Sequence, residues 1–355
     1  MKDILKRCLD DIENRIDSAQ EDKLLGEWKD FSYGRFKGDL FLPRRARAIP
    51  AQTEWPEIRI NDALENFDDM ALQQYKMCSD FLAVGNGSMM GVRANYGSSI
   101  MPLLFGVEPF VMPEEMNTLP TSKPLNDKQA IGRLINAGVP KLTAGYGEKI
   151  FETARFLRLI GNEYPKIGKH IQIYHPDMQG PFDICEVIWG SDIFMALYDD
   201  PGLVKGLLEL VTETYIAFMR EWEKIVPFSD GCNVHWYMFH RGNIFLRNDS
   251  AMNLSPGLYE EFVKPYDQKL LDELGGGGIH FCGKGDHYIA KMSETRGLYA
   301  INMSQPHLND MEVIFSNTVD KGINIVGLDR NAAEQALANG RKFHGRVNCK
   351  DESDY

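Results

Sequence analysis

The sequence predicts an α/β fold, a (β/α)8 TIM barrel with an N-terminal capping extension, and three observations lead there. After about residue 60, helical segments alternate with short apolar runs that end in Gly, Asn, Asp, His or Cys, which is the signature of repeated βα units. The last runs end near residues 282, 303, 328 and 349, spacings of 21, 25 and 21 residues, with room for a single helix between parallel neighbours. Parallel strands joined by right-handed crossovers either open into a doubly wound sheet or close into a barrel. An open dinucleotide-binding sheet should carry G-x-G-x-x-G after its first strand. The run GNGSMMG at 85–91 fits that pattern poorly and has no acidic residue at the expected distance. The barrel is preferred, with its active site at the C-terminal strand ends.

The elements follow in order. Ile4, Leu5, Cys8, Leu9, Ile12 and Ile16 have helical spacing. The stretch to about residue 60 is irregular and rich in Arg, aromatics and Pro, so residues 1–60 read as a cap over the barrel, and residues 61–355 as the barrel, in one unit. The helix NDALENFDDMALQQYKMC leads into a strand DFLAVGN. A helix starting near Gly147 precedes the strand IQIYHP, followed by the apolar run FDICEVIWG and the helix PGLVKGLLELVTETYIAFMREWEKI. CNVHWYMF reads as a further strand. SPGLYEEFVKPYDQKLLDEL reads as a helix with Ser255 as N-cap and Pro256 at its first position. Four glycines at 275–278 end that helix. Strands GGIHFC, LYAINMS, INIVGLD and GRVNCKD then alternate with helices DHYIAKMSE, NDMEVIFSNTV and NAAEQALAN.

Composition narrows the function classes. The 355 residues hold 39 Lys plus Arg against 51 Asp plus Glu, a net charge of −12, without the basic groove that a nucleic-acid backbone needs. No apolar run approaches the roughly 20 residues that span a bilayer, and the first 20 residues are charged throughout. The expectation is a cytoplasmic protein with no membrane and no nucleic-acid partner. Six Cys at 8, 78, 185, 232, 282 and 349 are too sparse for a disulfide scaffold and are expected as thiols.

His280-Phe281-Cys282-Gly283 ends a strand. Residues i and i+2 share a face, so the imidazole and thiol of His280 and Cys282 point together. Such a pair suits zinc, which takes Cys sulfur and His nitrogen and keeps an open position when catalytic. Cys349 ends the last strand, with 66 residues intervening, and barrel closure would turn it toward the same site. The alternative is that the two Cys are small buried hydrophobes and His280 a satisfied core histidine. Other strand-end residues are candidates for substrate binding: His175, Asp177 and Gln179 after one strand, Asn248 and Asp249 after another, then Asn302 and Asp329. His175, Asp177, Gln179 and Asp183 have helix capping as the competing use. His235 and His240 flank the run HWYMFH, which either walls a pocket or packs in the core.

Gln179-Gly180-Pro181-Phe182-Asp183, the segment from Asn253 to Tyr266 (NLSPGLYEEFVKPY), His280-Phe281-Cys282-Gly283 and Ala300-Ile301-Asn302 together resemble the uroporphyrinogen decarboxylase superfamily, over roughly residues 60–349. The resemblance implies a (β/α)8 barrel and one of two chemistries. In the methyltransferase branch His-x-Cys and a distant Cys bind zinc, so His280, Cys282 and Cys349 become the metal ligands and catalytic residues. A methyl group then moves between a corrinoid on a partner protein and a small-molecule thiol. In the decarboxylase branch the substrate is a tetrapyrrole such as uroporphyrinogen III. That branch looks for an acid after the first strand, where this chain has Asn86-Gly87, with Asp80 about six residues earlier. It also looks for an arginine motif, which Arg44, Arg45 and Arg47 match loosely, and for a late His, where Cys349 stands. Methyl transfer is the leading reading, and decarboxylation the alternative. A barrel that binds a corrinoid or partner without catalysis is the third, and a homodimer is among the assemblies expected.

Overall fold

The computed structural model describes residues 1–228 and 231–350. In chain order their strands are β1 (Leu40–Phe41), β2 (Gly91–Val92), β3 (Glu108–Phe110), β4 (Thr121–Lys123), β5 (Gln172–Ile173), β6 (Cys232–His235), β7 (Met238–Arg241), β8 (Ile244–Arg247), β9 (Gly277–Phe281), β10 (Leu298–Met303), β11 (Asn324–Leu328) and β12 (Val347–Cys349). The fold is mixed α/β. Its main sheet has six strands in the order β1-β12-β11-β10-β9-β8, all pairs parallel. Every residue of β9 and β11 is buried, which is why these strands read as unbroken apolar runs rather than alternating ones. Helices Ile289–Met292, Met311–Asn317 and Arg330–Ala338 make the crossovers from β9 to β12, where the sequence placed them. Residues 1–60 supply two helices and also β1, which pairs with β12 in the main sheet.

The first helix, Asp3–Arg15, buries Leu5, Cys8, Leu9 and Ile12 completely against Ala71, Leu72, Tyr75 and Cys78. Its last turn carries a buried cation. Arg15 donates to Asp11 Oδ2 at 2.9 Å, to Ser79 Oγ at 2.6 Å and to the Ser79 carbonyl at 2.7 Å.

Several early elements differ from the sequence reading. DFLAVGN is not a strand, because the helix Phe67–Val84 runs through it to Gly85, whose φ of 69° ends the helix. Tyr75, Cys78, Phe81 and Leu82 continue the helical spacing and are at most 1% exposed, and a short apolar run does not by itself separate strand from buried helix. The strand comes later, as β2, paired with β5. FDICEVIWG is likewise helical, Pro181–Trp189, opened by Pro181 and closed by Gly190 at φ 98°. The helix after Ser255 breaks at Val263 into Pro256–Phe262 and Lys264–Leu274, since Pro265 has no N–H to give the Glu261 carbonyl and its ring crowds that turn. Ser255 does cap it, accepting from Leu258 N–H at 3.3 Å.

CNVHWYMF is an antiparallel hairpin, β6 and β7. It turns at Trp236 and Tyr237, both with positive φ, 45° and 65°. Two-residue hairpin turns of that hand favour Asn and Gly, so two aromatics there gave no turn signal. Val234 and Phe239 of the hairpin join Trp28, Phe31, Phe41, Phe245, Ala300 and Val326 in one buried cluster. The hairpin therefore lies against one face of the main sheet and lifts its turn toward the C-terminal strand ends. No described helix is long and apolar enough to cross a membrane.

Candidate metal centre

Beyond the C-terminal ends of β8 to β12 lies a cavity of about 360 Å³. Trp28, Trp236, Tyr237 and Met238 give it apolar walls, and Asp177, Arg247, Asp249, His280, Cys282 and Asn302 are among its polar ones. The strained turn is held from both sides: the Tyr237 carbonyl accepts from Met89 N–H at 3.1 Å, and the Tyr237 ring meets Phe81 edge-on at 4.9 Å. Trp236 sets its ring edge-on to His280, centroids 5.2 Å apart.

His280 and Cys282 share a face, as alternation requires, and the His280 Nε2 to Cys282 Sγ distance is 3.2 Å. Asp249 joins them from β8, the strand beside β9 with Arg247 opposite His280. Its Oδ1 is 3.5 Å from His280 Nε2 and accepts from the Cys282 N–H at 3.1 Å. The three atoms, each of a kind that can ligate a metal, lie within 4.8 Å of one another. Behind them, Asn302 Oδ1 is 2.6 Å from His280 Nδ1, and Asn302 Nδ2 donates to the Val326 carbonyl at 2.7 Å. The Cys282 thiol meets Ser304 Oγ at 3.5 Å. Asp183 accepts from the N–H groups of Asp249 and Ser250 at 2.7 and 3.0 Å, fixing the turn that presents Asp249. Burial, helped by the Asp249 charge, pushes the Asp183 carboxyl up to about 8. Burial also lowers the His280 pKa, opposed by Asp249, and raises that of the Cys282 thiol.

The other candidates fall into two groups. Asp177 lines the cavity between Arg93 and Arg247, at 3.5 and 3.4 Å. Its Oδ1, Arg93 Nη1 and Arg247 Nε are buried without a hydrogen-bond partner among the described residues. His175, in contrast, is not among the residues that line the cavity. Its Nδ1 donates to the Pro176 carbonyl at 2.7 Å and its Nε2 accepts from Phe245 N–H at 3.1 Å, and burial lowers its pKa to about 4. Asn248 donates to Asp267 at 2.6 Å, Gln179 is buried away from the cavity, and Asp329 caps Arg330–Ala338 through Ala332 N–H at 2.9 Å. His235 and His240 are 0% and 1% exposed and pack among aromatic rings.

Cys349 lines the cavity but stands outside the Asp249–His280–Cys282 cluster. Strands β10 and β11 separate β12 from β9, whereas β8 is adjacent, so Asp249 reaches the His280–Cys282 pair instead. Burial pushes the Cys349 thiol up to about 12. Asp80 lies on the helix Phe67–Val84, paired with Lys76 at 3.1 Å with its side chain 49% exposed, and Arg45 is buried against Glu21 at 2.7 Å. Neither lines the cavity. Sequence reasoning passed over Trp28, Arg93 and Arg247. The available signal for Arg247 was its i, i+2 relation to Asp249 at a strand end.

No family model matches the sequence, and no curated protein matches it either. Among solved structures the chain is similar to a methyltransferase from Methanosarcina mazei, with a TM-score of 0.63 and 16% identity over 92% of each chain. At that identity the likeness speaks for the fold.

Proposed function

We propose that this chain is a methyltransferase of the uroporphyrinogen decarboxylase superfamily, cytoplasmic and zinc-dependent, moving a methyl group between a corrinoid on a separate protein and a thiol. The observation that carries the reading is the convergence of Asp249 Oδ1, His280 Nε2 and Cys282 Sγ within 4.8 Å at a cavity wall. Zinc accepts oxygen, nitrogen and sulfur together, and tetrahedral bonds of about 2.0–2.3 Å put ligand atoms about 3.3–3.8 Å apart. The separations of 3.5 Å for Asp249–His280 and 3.2 Å for His280–Cys282 are near those values. Asp249, His280 and Cys282 would hold the metal, with Cys349 beside it as a cavity-lining thiol.

When bound, zinc supplies a Lewis acid that keeps a sulfur acceptor deprotonated at neutral pH. The chain's own residues do the rest. Trp28, Trp236 and Met238 keep water from the acceptor. Arg247 and Asp177, paired at 3.4 Å on the cavity wall, orient its polar end. The fold proposed is the closed barrel. In the loops, Arg44, three residues after β1, forms an antiparallel bridge with Asn86, five residues before β2, and β2 pairs with β5. Gly180 N–H donates to the Arg247 carbonyl at 2.7 Å, tying the exit of β5 to β8. These links support joining the six-stranded sheet and the β2–β5 pair into a ring of eight.

The test is metal analysis of protein purified under reducing conditions, with methylcobalamin and a small thiol as assay substrates. About one zinc per chain and thiol methylation lost in Cys282→Ser are expected. Zinc-free protein, or carbon dioxide release from uroporphyrinogen without metal, would overturn the reading.

A further inference from the structure

We propose that Asn302 is a positioning residue that fixes the tautomer of His280, so that Nε2 faces the cavity as a lone pair. The hydrogen-bond roles follow one from another. The Val326 carbonyl can only accept, so the Asn302 atom 2.7 Å from it is the amide nitrogen. Oδ1, which can only accept, then faces His280 Nδ1 at 2.6 Å, and Nδ1 must donate. A neutral imidazole carries one N–H. With Nδ1 protonated, the bare nitrogen is Nε2, the atom 3.2 Å from Cys282 Sγ and 3.5 Å from Asp249 Oδ1.

Asp249 makes this choice necessary. Its carboxylate oxygen, 3.5 Å from Nε2, is an acceptor that without Asn302 would draw the ring proton to Nε2. A ring protonated there has no lone pair for a metal. Asn302 wins the competition by distance, 2.6 against 3.5 Å. It also lies directly opposite His280 in the β9–β10 register and is 4% exposed, so water is kept from replacing it. The link crosses three adjacent strands, from a β11 carbonyl through β10 to the β9 ligand, and a small shift of β11 would be felt at the ring. The consequence for metal binding rests on reading Asp249, His280 and Cys282 as ligands. The tautomer itself does not.

The experiment is nitrogen-15 NMR of histidine-labelled, metal-free, full-length protein at neutral pH. Zinc affinity is measured alongside by competition with a chromophoric chelator, for wild type, Asn302→Leu and Asn302→Asp. The wild type is expected to show the Nδ1–H tautomer at His280. Asn302→Asp keeps it, because a carboxylate oxygen also accepts from Nδ1. Asn302→Leu moves the proton to Nε2 and weakens zinc binding by roughly 10- to 100-fold, the usual cost of losing a partner behind a ligand. An Nε2–H tautomer in the wild type overturns the proposal, as does a Leu variant that keeps both the Nδ1–H tautomer and wild-type affinity. If Asn302→Leu does not fold, the tautomers of wild type and Asn302→Asp decide alone. A wild type with the Nδ1–H tautomer that binds no zinc upholds the positioning role and overturns the metal reading.

Discussion

His240 offers a quantitative test of how the hairpin is buried. Its ring is 1% exposed, packs edge-on to Phe245 at 5.0 Å and donates through Nδ1 to the Arg241 carbonyl at 3.1 Å. Nε2 has no hydrogen-bond partner among the described residues. Burial lowers its pKa to about 3. A histidine held neutral in the native state takes up its proton only on unfolding, so its contribution to stability is lost as pH falls below about 6.5. At about pH 5 that proton favours the unfolded chain by about 2 kcal/mol, and at about pH 7.5 by almost nothing. The buried carboxyls act in the opposite sense, because Asp183 and Asp267, raised to about 8 and about 7, bind protons in the native state first. The wild-type curve mixes both signs, and the variant-minus-wild-type difference isolates His240. Urea unfolding of His240→Phe and wild type at the two pH values is the assay. The variant is expected to cost about 1 kcal/mol at about pH 7.5 for the lost hydrogen bond. Relative to wild type it should gain about 2 kcal/mol on going to about pH 5. A difference that does not change with pH would refute the burial of a neutral ring at this position.

Other outcomes follow from the same structure. Cys282→Ser should abolish zinc binding while Cys349→Ser retains it, read by metal analysis of both proteins under reducing conditions. Asp267 is buried with a carboxyl raised to about 7, so wild type loses stability as pH rises from about 4 to about 7. Asp267→Asn, which keeps an acceptor for Asn248, should therefore be stabilising, more so at about pH 8 than at about pH 5 by about 2–3 kcal/mol in urea unfolding. Arg15→Ala leaves Asp11, 7% exposed, without its ion-pair partner, and should cost about 3–5 kcal/mol of unfolding free energy.

The later half of the chain was the more legible. Strands β9 to β12 are almost wholly buried, and a single α-helix lies between each pair, so apolar runs and their spacing report the backbone directly. The early half misled because a helix can bury an apolar run as completely as a strand does, as Phe81 and Leu82 do on Phe67–Val84. The hairpin turn was hidden because Trp236 and Tyr237 adopt a conformation that their residue types disfavour, held there by contacts from elsewhere. At the site, alternation along β9 was enough to pair His280 with Cys282. What sequence could not supply was strand adjacency, which brings Asp249 of the neighbouring strand end to that pair and leaves Cys349 farther round the sheet. Asn302 drew notice as a strand-end polar residue. Its partner, the Val326 carbonyl, belongs to a strand whose register only the fold reveals.

X-ray absorption at the zinc edge of the metal-loaded protein tests the central claim most directly, because it counts sulfurs around the metal. A centre built from Asp249, His280 and Cys282 is expected to show one sulfur at about 2.3 Å with oxygen and nitrogen neighbours at about 2.0–2.2 Å. Two sulfurs would put Cys349 in the place given to Asp249, and protein that takes up no zinc would contradict the metal centre altogether.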